Sequence, residues 1–416
     1  MKDRLIFKNK KLKNGMNVYA KHMDVPFATA WVYVPVGHAN NTGKVLPGTA
    51  HFLEHVACNR SRLYPKKNQF KKKVELNGGD LNAATGSLQT EYYMSIRSDL
   101  FKEAFKGFIS QVFEPLIDKD DIKQETGIIL NESKMKNKWY PAYDELGHHV
   151  RTKWRHDAMF SPRQRLGNRN DFKKMNVAHL KHFHEGYFDP RTYIIVGGNF
   201  DEKVVFDVLS KIKTKKHNLP IKIDQVRWAN KEYHEKKFSD INRFIYHMGG
   251  IVPEHDMMTK IGIEFIGSLL TNNTHGVLMQ WLRDELSWCY DIDFDYEYYN
   301  NPHINNQWEL QVPLNNRKQV QFVRKEIHKI ILKAINDKKL VSTEVERQKS
   351  SNLFSYQTLR SILSEADGML GFGGQLYTEK ELLKALERCK DTSFLNEIYK
   401  KYWSPEVVGE FLAIPK

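Results

Sequence analysis

The same order of strands and helices is written twice along this chain, and that recurrence limits the fold more than any single motif. In the first half, Asn14-Gly15 between LIFKNKKLK and MNVYAKHM is a strong hairpin signal, and ATAWVYVPVG reads as a further strand. Helices at GTAHFLEHVAC and NQFKKKVELNG follow, then two strands in LNAATGSLQTEYYMSIRS about a Gly86-Ser87 turn. Helices at FKEAFKGFISQVF, 119–137 and 172–187 lead to a buried strand, TYIIVGGNF, and the helix EKVVFDVLSKI. In the second half, the strand-rich FSDINRFIYHMGGIVP precedes helices in TKIGIEFIGSLLTNN and GVLMQWLRDELS. The strands CYDIDFDYEYY and QWELQVPL, two long helices near 317–338 and 342–366, and a last strand, VVGEFLAI, complete the second series. An internal duplication is the simplest account. A chain of 416 residues is also too long for one comfortable core. The polar, basic stretch 213–227, KTKKHNLPIKIDQVR, reads as a linker between domains at 1–212 and 228–416.

Composition excludes several classes. Hydrophobic content of 41% and charged content of 27% describe a folded globular chain. No run reaches the ~18 apolar residues that a membrane span needs. The opening MKDRLIFKNKKLKNG lacks the apolar core of a signal peptide and the serine- and arginine-rich character of a transit peptide. The three cysteines, Cys58, Cys289 and Cys389, are odd in number and widely spaced, which suits a reducing compartment. A cytoplasmic location is expected. The net charge of +14 is spread over short clusters, with no RNA-binding aromatic signature and no long basic tail. It reads as a solvated basic surface, so no nucleic-acid or membrane partner is expected; a field that attracts acidic peptides, or weakly attracts nucleic acid, is the alternative.

One stretch of the first half carries chemistry. His51, Glu54 and His55 form His-x-x-Glu-His. On a helix, positions i, i+3 and i+4 share a face, so both imidazoles reach one metal ion with the carboxylate beside them. Two nitrogen ligands suit zinc, and a carboxylate in that place suits proton transfer from a water. This order is the inverted form of the His-Glu-x-x-His zinc protease motif. The alternative is a solvated helix face, in a chain with 17 histidines. Glu125 and Glu132, one heptad apart on the helix 119–137, also face one way. They are either an ordinary charged face or a third metal ligand, Glu132, with a supporting carboxylate, Glu125.

Other clusters are weaker. His179 and His182 are i and i+3, but His184 falls off their face, so this group with Glu185 reads as surface or packing. The glycines of GMLGFGG read as a helix end, because no Gly-Lys-Ser/Thr follows them.

Taken together, PGTAHFLEH, Glu125, Glu132, NGGDLNAATGSLQTEYY and LRDELSWCY fall in the order seen in one family. The chain resembles the pitrilysin/insulysin family of inverted-motif zinc peptidases. It is most similar to the short, two-domain branch that includes mitochondrial processing peptidase and its bacterial relatives. The resemblance covers nearly the whole chain, with Thr49, His38 and LSWCY departing from the usual pattern.

That resemblance implies an α+β fold of two structurally related domains. Each is a mostly antiparallel sheet with helices on one face, and the two form a clamshell. It implies one Zn²⁺ on His51, His55 and Glu132, with Glu54 as general base and Glu125 in support. Arg283 and Tyr290 of the second domain would bind substrate and stabilise the oxyanion. The strand 81–85, with Asn82, Ala83 and Ala84, would be a sheet edge that takes an extended peptide as an added strand. The expected activity is that of a metalloendopeptidase on short or unfolded peptides. A maturation protease for one peptide and a non-catalytic subunit are the alternatives. Association as a homodimer, or as a heterodimer with a related chain, is also implied.

Overall fold

The structure, a computed structural model, describes residues 3–139, 146, 149–150, 165–222, 233–298 and 304–416. Its first sheet is built from β1 (Lys8–Lys11), β2 (Asn17–His22), β3 (Phe27–Val34), β4 (Asp80–Thr85), β5 (Thr90–Arg97) and β6 (Tyr193–Gly198). The spatial order is β1-β2-β6-β3-β5-β4, so among the described residues β4 is an edge strand paired only with β5. The second sheet holds β7 (Tyr233–Phe238), β8 (Phe244–Val252), β9 (Asp293–Glu297), β10 (Asn306–Leu314) and β11 (Gly409–Pro415), in the order β7-β11-β8-β10-β9. Apart from β1, the two orders correspond strand for strand. Each sheet has one parallel pair, β2 with β6 and β7 with β11, and is otherwise antiparallel. The duplication read from element order is therefore a duplication of topology.

Besides the one-turn helix Arg169–Phe172, the helices described in the first half are α1 (Thr49–Ala57), α2 (Gln69–Leu76), α3 (Phe101–Phe113), α4 (Lys119–Trp139), α5 (Val177–His184) and α6 (Glu202–Leu209). The second half has α7 (Met257–Thr271), α8 (Arg317–Asn336), α9 (Lys338–Ser355), α10 (Leu359–Gly373), α11 (Glu379–Arg388) and α12 (Thr392–Ile398). Strand alternation sorts the faces of the first sheet. On β5, Thr90, Tyr92, Met94 and Ile96 are buried while Glu91, Tyr93 and Ser95 are partly open. The buried set joins Phe52, Leu53 and Val56 of α1 and Phe105 and Phe108 of α3 in one core. Burying side chains of this kind contributes ~1.5–3 kcal/mol each. The second core centres on Trp308 and Trp403, whose rings stack with centroids 3.7 Å apart.

Two expected helices differ from the sequence reading. The span 342–366 is broken, because Thr358 starts a new helix: its Oγ1 accepts the Ser361 N–H at 3.1 Å. The span 172–187 begins on the end of a one-turn helix, Arg169–Phe172, and then holds Val177–His184 and a following 3₁₀ turn, with Asn176 as the cap that starts the second helix. The second-half segment containing Arg283 forms a widened π-type turn, Met279–Glu285. Of the expected linker, 213–222 has no regular structure, and 223–227 lie outside the described residues. Among the described residues, no helix is long and apolar enough to cross a membrane.

The other face of the first sheet is covered by α10, which belongs to the second half. Leu359, Leu363, Ala366 and Leu370 pack on Tyr19, Tyr33 and Ile195. A Cβ at Gly197 would lie 2.6 Å from Leu359 Cδ1, so this strand residue has no side chain where the helix approaches. In the opposite direction Leu5 is buried in the second core, and Arg4 pairs with Glu379.

Candidate active site

The lead into α1 sets where its histidines lie. Gly48 has φ +80°, and a Cβ there would meet the Gly167 nitrogen at 2.7 Å. Only glycine fits that left-handed, crowded position without strain. The buried Asn41 accepts the Ala50 N–H at 3.0 Å, which satisfies an amide of the first helical turn. Phe52, Leu53 and Val56 then turn inward, while His51, Glu54 and His55 line the face toward α4 and β4.

On that face His51 and His55 stand with ring centroids 4.7 Å apart. Oε2 of Glu132, from α4, lies 3.6 Å from His51 Nε2 and 3.3 Å from His55 Nε2. Two donors each ~2.0–2.1 Å from a tetrahedral zinc ion stand about 3.3 Å apart, so these spacings fit such an ion. Among the described residues, this is the cluster of histidine and carboxylate groups able to hold a metal. The donor set is borderline and hard, two imidazoles and one carboxylate, which suits zinc in an open site.

The surrounding groups orient this set. His55 Nδ1 lies 3.2 Å from Oε2 of the buried Glu125, so its other nitrogen, Nε2, is the one turned to Glu132. Glu125 in turn accepts from Asn59 Nδ2 at 2.9 Å and Lys67 Nζ at 3.3 Å. Burial pushes the Glu125 carboxyl up, but His55, Asn59 and Lys67 outweigh it and hold it down to about 2. Burial draws His55 down, and Glu125, Glu132 and Glu54 outweigh it, raising it to about 9.

Glu54, 8% exposed, accepts a 2.6 Å hydrogen bond from Thr85 Oγ1 at the end of β4. Asn82 and Ala84 are exposed on β4, and Ala83 is half-buried against the core. The Asn82 side-chain oxygen accepts the Ala83 N–H at 3.0 Å. Glu91, opposite Ala84 on β5, is held up to about 7 by burial, with Asp367 of α10 and Glu54 adding repulsion.

Arg283 and Tyr290 are not brought to this cluster. Arg283 donates to Asp284 Oδ1 at 2.8 Å and to the Asn273 carbonyl at 2.6 Å. Tyr290 is 84% exposed. Neither bonds to His51, Glu54, His55, Glu125 or Glu132 among the described residues. Among the described residues the histidines of α5 form no metal site: His184 is half-buried with Nε2 on the Val112 carbonyl at 2.8 Å, and desolvation draws it down to about 4. The sequence reading gives no functional role to Thr85, Asn59 or Lys67. Thr85 ends the LNAAT stretch that the reading did single out, whereas Asn59 and Lys67 carry no periodic signal.

The family description Insulinase (Peptidase family M16) matches residues 17–165, and Peptidase M16 inactive domain matches residues 174–352. The chain belongs to the M16 peptidase family. The first match contains His-x-x-Glu-His; the corresponding helix of the second half, α7, has neither histidine nor a Glu-His pair. An insulin-degrading enzyme homolog of Dictyostelium discoideum is 29% identical over 123 residues, which are 29% of this chain and 13% of that protein. Insulin-degrading enzyme-like 1, peroxisomal, of Arabidopsis thaliana is 34% identical over 89 residues, 21% of this chain and 9% of that protein. The chain thus matches only a small part of the length of these relatives. Over its whole length it shares the fold of a crystallised protease from Helicobacter pylori, with TM-score 0.77, 16% identity and 99% of each chain covered.

Proposed function

We propose that this member of the M16 family is a zinc-dependent endopeptidase that cuts short or unfolded peptides bound in extended form between its two halves. The observation that carries the reading is the approach of Glu132 on α4 to within 3.6 Å of both motif histidines, with Glu54 beside them. Relatives named Protease 3, of Escherichia coli, and putative zinc protease, of Schizosaccharomyces pombe, support it over parts of the chain.

In this reading His51, His55 and Glu132 would hold the ion. Zinc there supplies Lewis acidity, making a water nucleophilic near neutral pH and polarising a carbonyl. Glu54 takes a proton from the attacking water and returns it to the leaving amine, its carboxylate oriented by Thr85. Glu125 keeps His55 in the right tautomer and orientation. The peptide adds to the free edge of β4, where small Ala83 and Ala84 allow close approach and Asn82 can exchange its hydrogen bond for one to the peptide. Arg283 and Tyr290 reach the developing negative charge when the halves close, Arg283 leaving Asp284 to do so.

The protein works in a reducing, cytoplasmic compartment, in keeping with its three free cysteines, as a dimer with a second copy or a related chain. Metal analysis and chelator-sensitive cleavage of an unfolded peptide library, on one purified sample, test the reading. Bound zinc with cleavage that disappears in Glu54→Gln supports it. Absence of both metal and cleavage supports a non-catalytic subunit instead, and cleavage confined to one sequence supports a dedicated maturation protease.

A further inference from the structure

A cavity of about 520 Å³ opens in the second half, and it shares no lining residue with the histidine–glutamate cluster. Its size falls within the ~300–1,000 Å³ range of small-molecule pockets. Helices α7, α9, α10 and α11 enclose it. Its apolar lining includes Met369 and Leu382, and Tyr298 and Tyr356 also line it.

The charges facing this cavity do not balance. Lys260 Nζ lies 2.7 Å from both carboxylate oxygens of Glu264 and 5.4 Å from the centroid of the Tyr298 ring, so this cation is already engaged by Glu264 and by one face of Tyr298. Arg4, which stands over the Tyr356 ring at 5.5 Å, is matched by Glu379. Glu365, on the cavity side of α10, makes no hydrogen bond or ion pair among the described residues. Burial pushes its carboxyl up; Lys260 offsets part of that, and Glu264 adds repulsion. Glu365 is half-buried, and a carboxylate drawn partly out of water without a partner is unfavourably placed. Both tyrosines that flank the cavity feel its charge. One negative charge beside two aromatic faces and an apolar floor is the chemistry of an organic-cation site.

We infer that this cavity binds a primary ammonium or guanidinium group on a short apolar stem. The charged head pairs with Glu365 between Tyr298 and Tyr356, and the stem lies on Met369 and Leu382. The inference stands apart from the peptidase reading, since it uses none of those residues. The same chemistry is offered by a free amine and by a basic side chain of a peptide. The site also has a mechanical neighbour: the opposite face of α10 carries Leu363 and Leu370 onto the first sheet.

Calorimetric titration of the full chain with n-hexylamine and agmatine, with n-hexanol as the neutral control, tests this. The amines are expected to bind and the alcohol to fail. Glu365→Gln is expected to weaken amine binding at least ten-fold, with folding checked by thermal melting. Lys260→Met should act in the opposite direction and tighten binding several-fold, because Glu264 then lacks its cation. That opposite sign keeps the test decisive even if the first variant folds poorly. A lysine-bearing unstructured peptide and its acetyl-lysine counterpart separate the two sources. If the peptide is the ligand, the difference between wild type and Glu365→Gln vanishes on acetylation; if only the free amines show that difference, the ligand is a free amine. Absence of amine binding, unchanged affinity in Glu365→Gln, or weaker binding in Lys260→Met overturns the inference.

Discussion

Thr85 Oγ1 donates a 2.6 Å hydrogen bond to Oε2 of Glu54, linking the last residue of the edge strand β4 to the carboxylate of the His-x-x-Glu-His helix. One contact thus ties the strand proposed to hold a peptide to the group proposed to move its proton. Thr85→Val keeps the shape and removes the donor. With one hydrogen bond to a charged group lost, kcat should fall roughly ten-fold, about 1.5 kcal/mol, with bound zinc unchanged. Steady-state kinetics alongside elemental analysis checks this, and Thr85→Ser should restore most of the rate.

Glu125 touches His55 and accepts from Asn59 and Lys67. Outer partners of metal-binding histidines are worth roughly 10–100-fold in metal affinity. Glu125→Gln should lower zinc affinity by that factor in a chelator competition, and Lys67→Met by less. Equal affinity in wild type and Glu125→Gln would mean that His55 is positioned by packing alone.

Gly48 sits at φ +80° with Gly167 against it. Gly48→Ala combines left-handed strain with a backbone clash and should cost about 1–3 kcal/mol. Urea unfolding reads the loss. Because α1 starts there, weaker zinc binding should accompany it.

The second half offers a cleaner pH probe. Glu344 is fully buried and bonds to Ser268, His275, Arg347 and Gln348. Burial pushes its carboxyl up, but those partners, Arg347 first, hold it down from 4.5 to about 2. A carboxyl lowered by folding adds stability that is fully present above pH ~4.5 and lost as pH falls toward ~2, here about 3 kcal/mol. Glu344→Gln should therefore destabilise strongly at pH 7 and progressively less below pH ~4.5. Denaturant titrations at pH 7 and pH 3 test that sign.

Arg283→Ala and Tyr290→Phe should each lower kcat by roughly 10–100-fold while zinc content stays unchanged, as expected for groups that meet charge only in the transition state. Unchanged kcat in both would show that Arg283 serves only Asp284 and Asn273.

Much of this architecture was legible locally. The Asn14-Gly15 hairpin, the alternation of β5 and the spacing of His51, Glu54 and His55 each follow from backbone periods that act over a few residues. The heptad between Glu125 and Glu132 showed which way both carboxylates point. It carried no information on whether α4 would lie near α1. Helix starts at Asn176 and Thr358 were missed because a single capping side chain interrupts an otherwise continuous helical pattern.

By itself, the sequence determined the twice-written order of elements and one helix face suited to a metal, since both depend on neighbours along the chain. Tertiary structure alone decided that Glu132 closes on the two imidazoles, that Thr85, Asn59 and Lys67 support the carboxylates, and that α10 of one half packs on the sheet of the other. Those contacts join segments far apart in sequence, where packing of buried side chains, not backbone period, selects the partner.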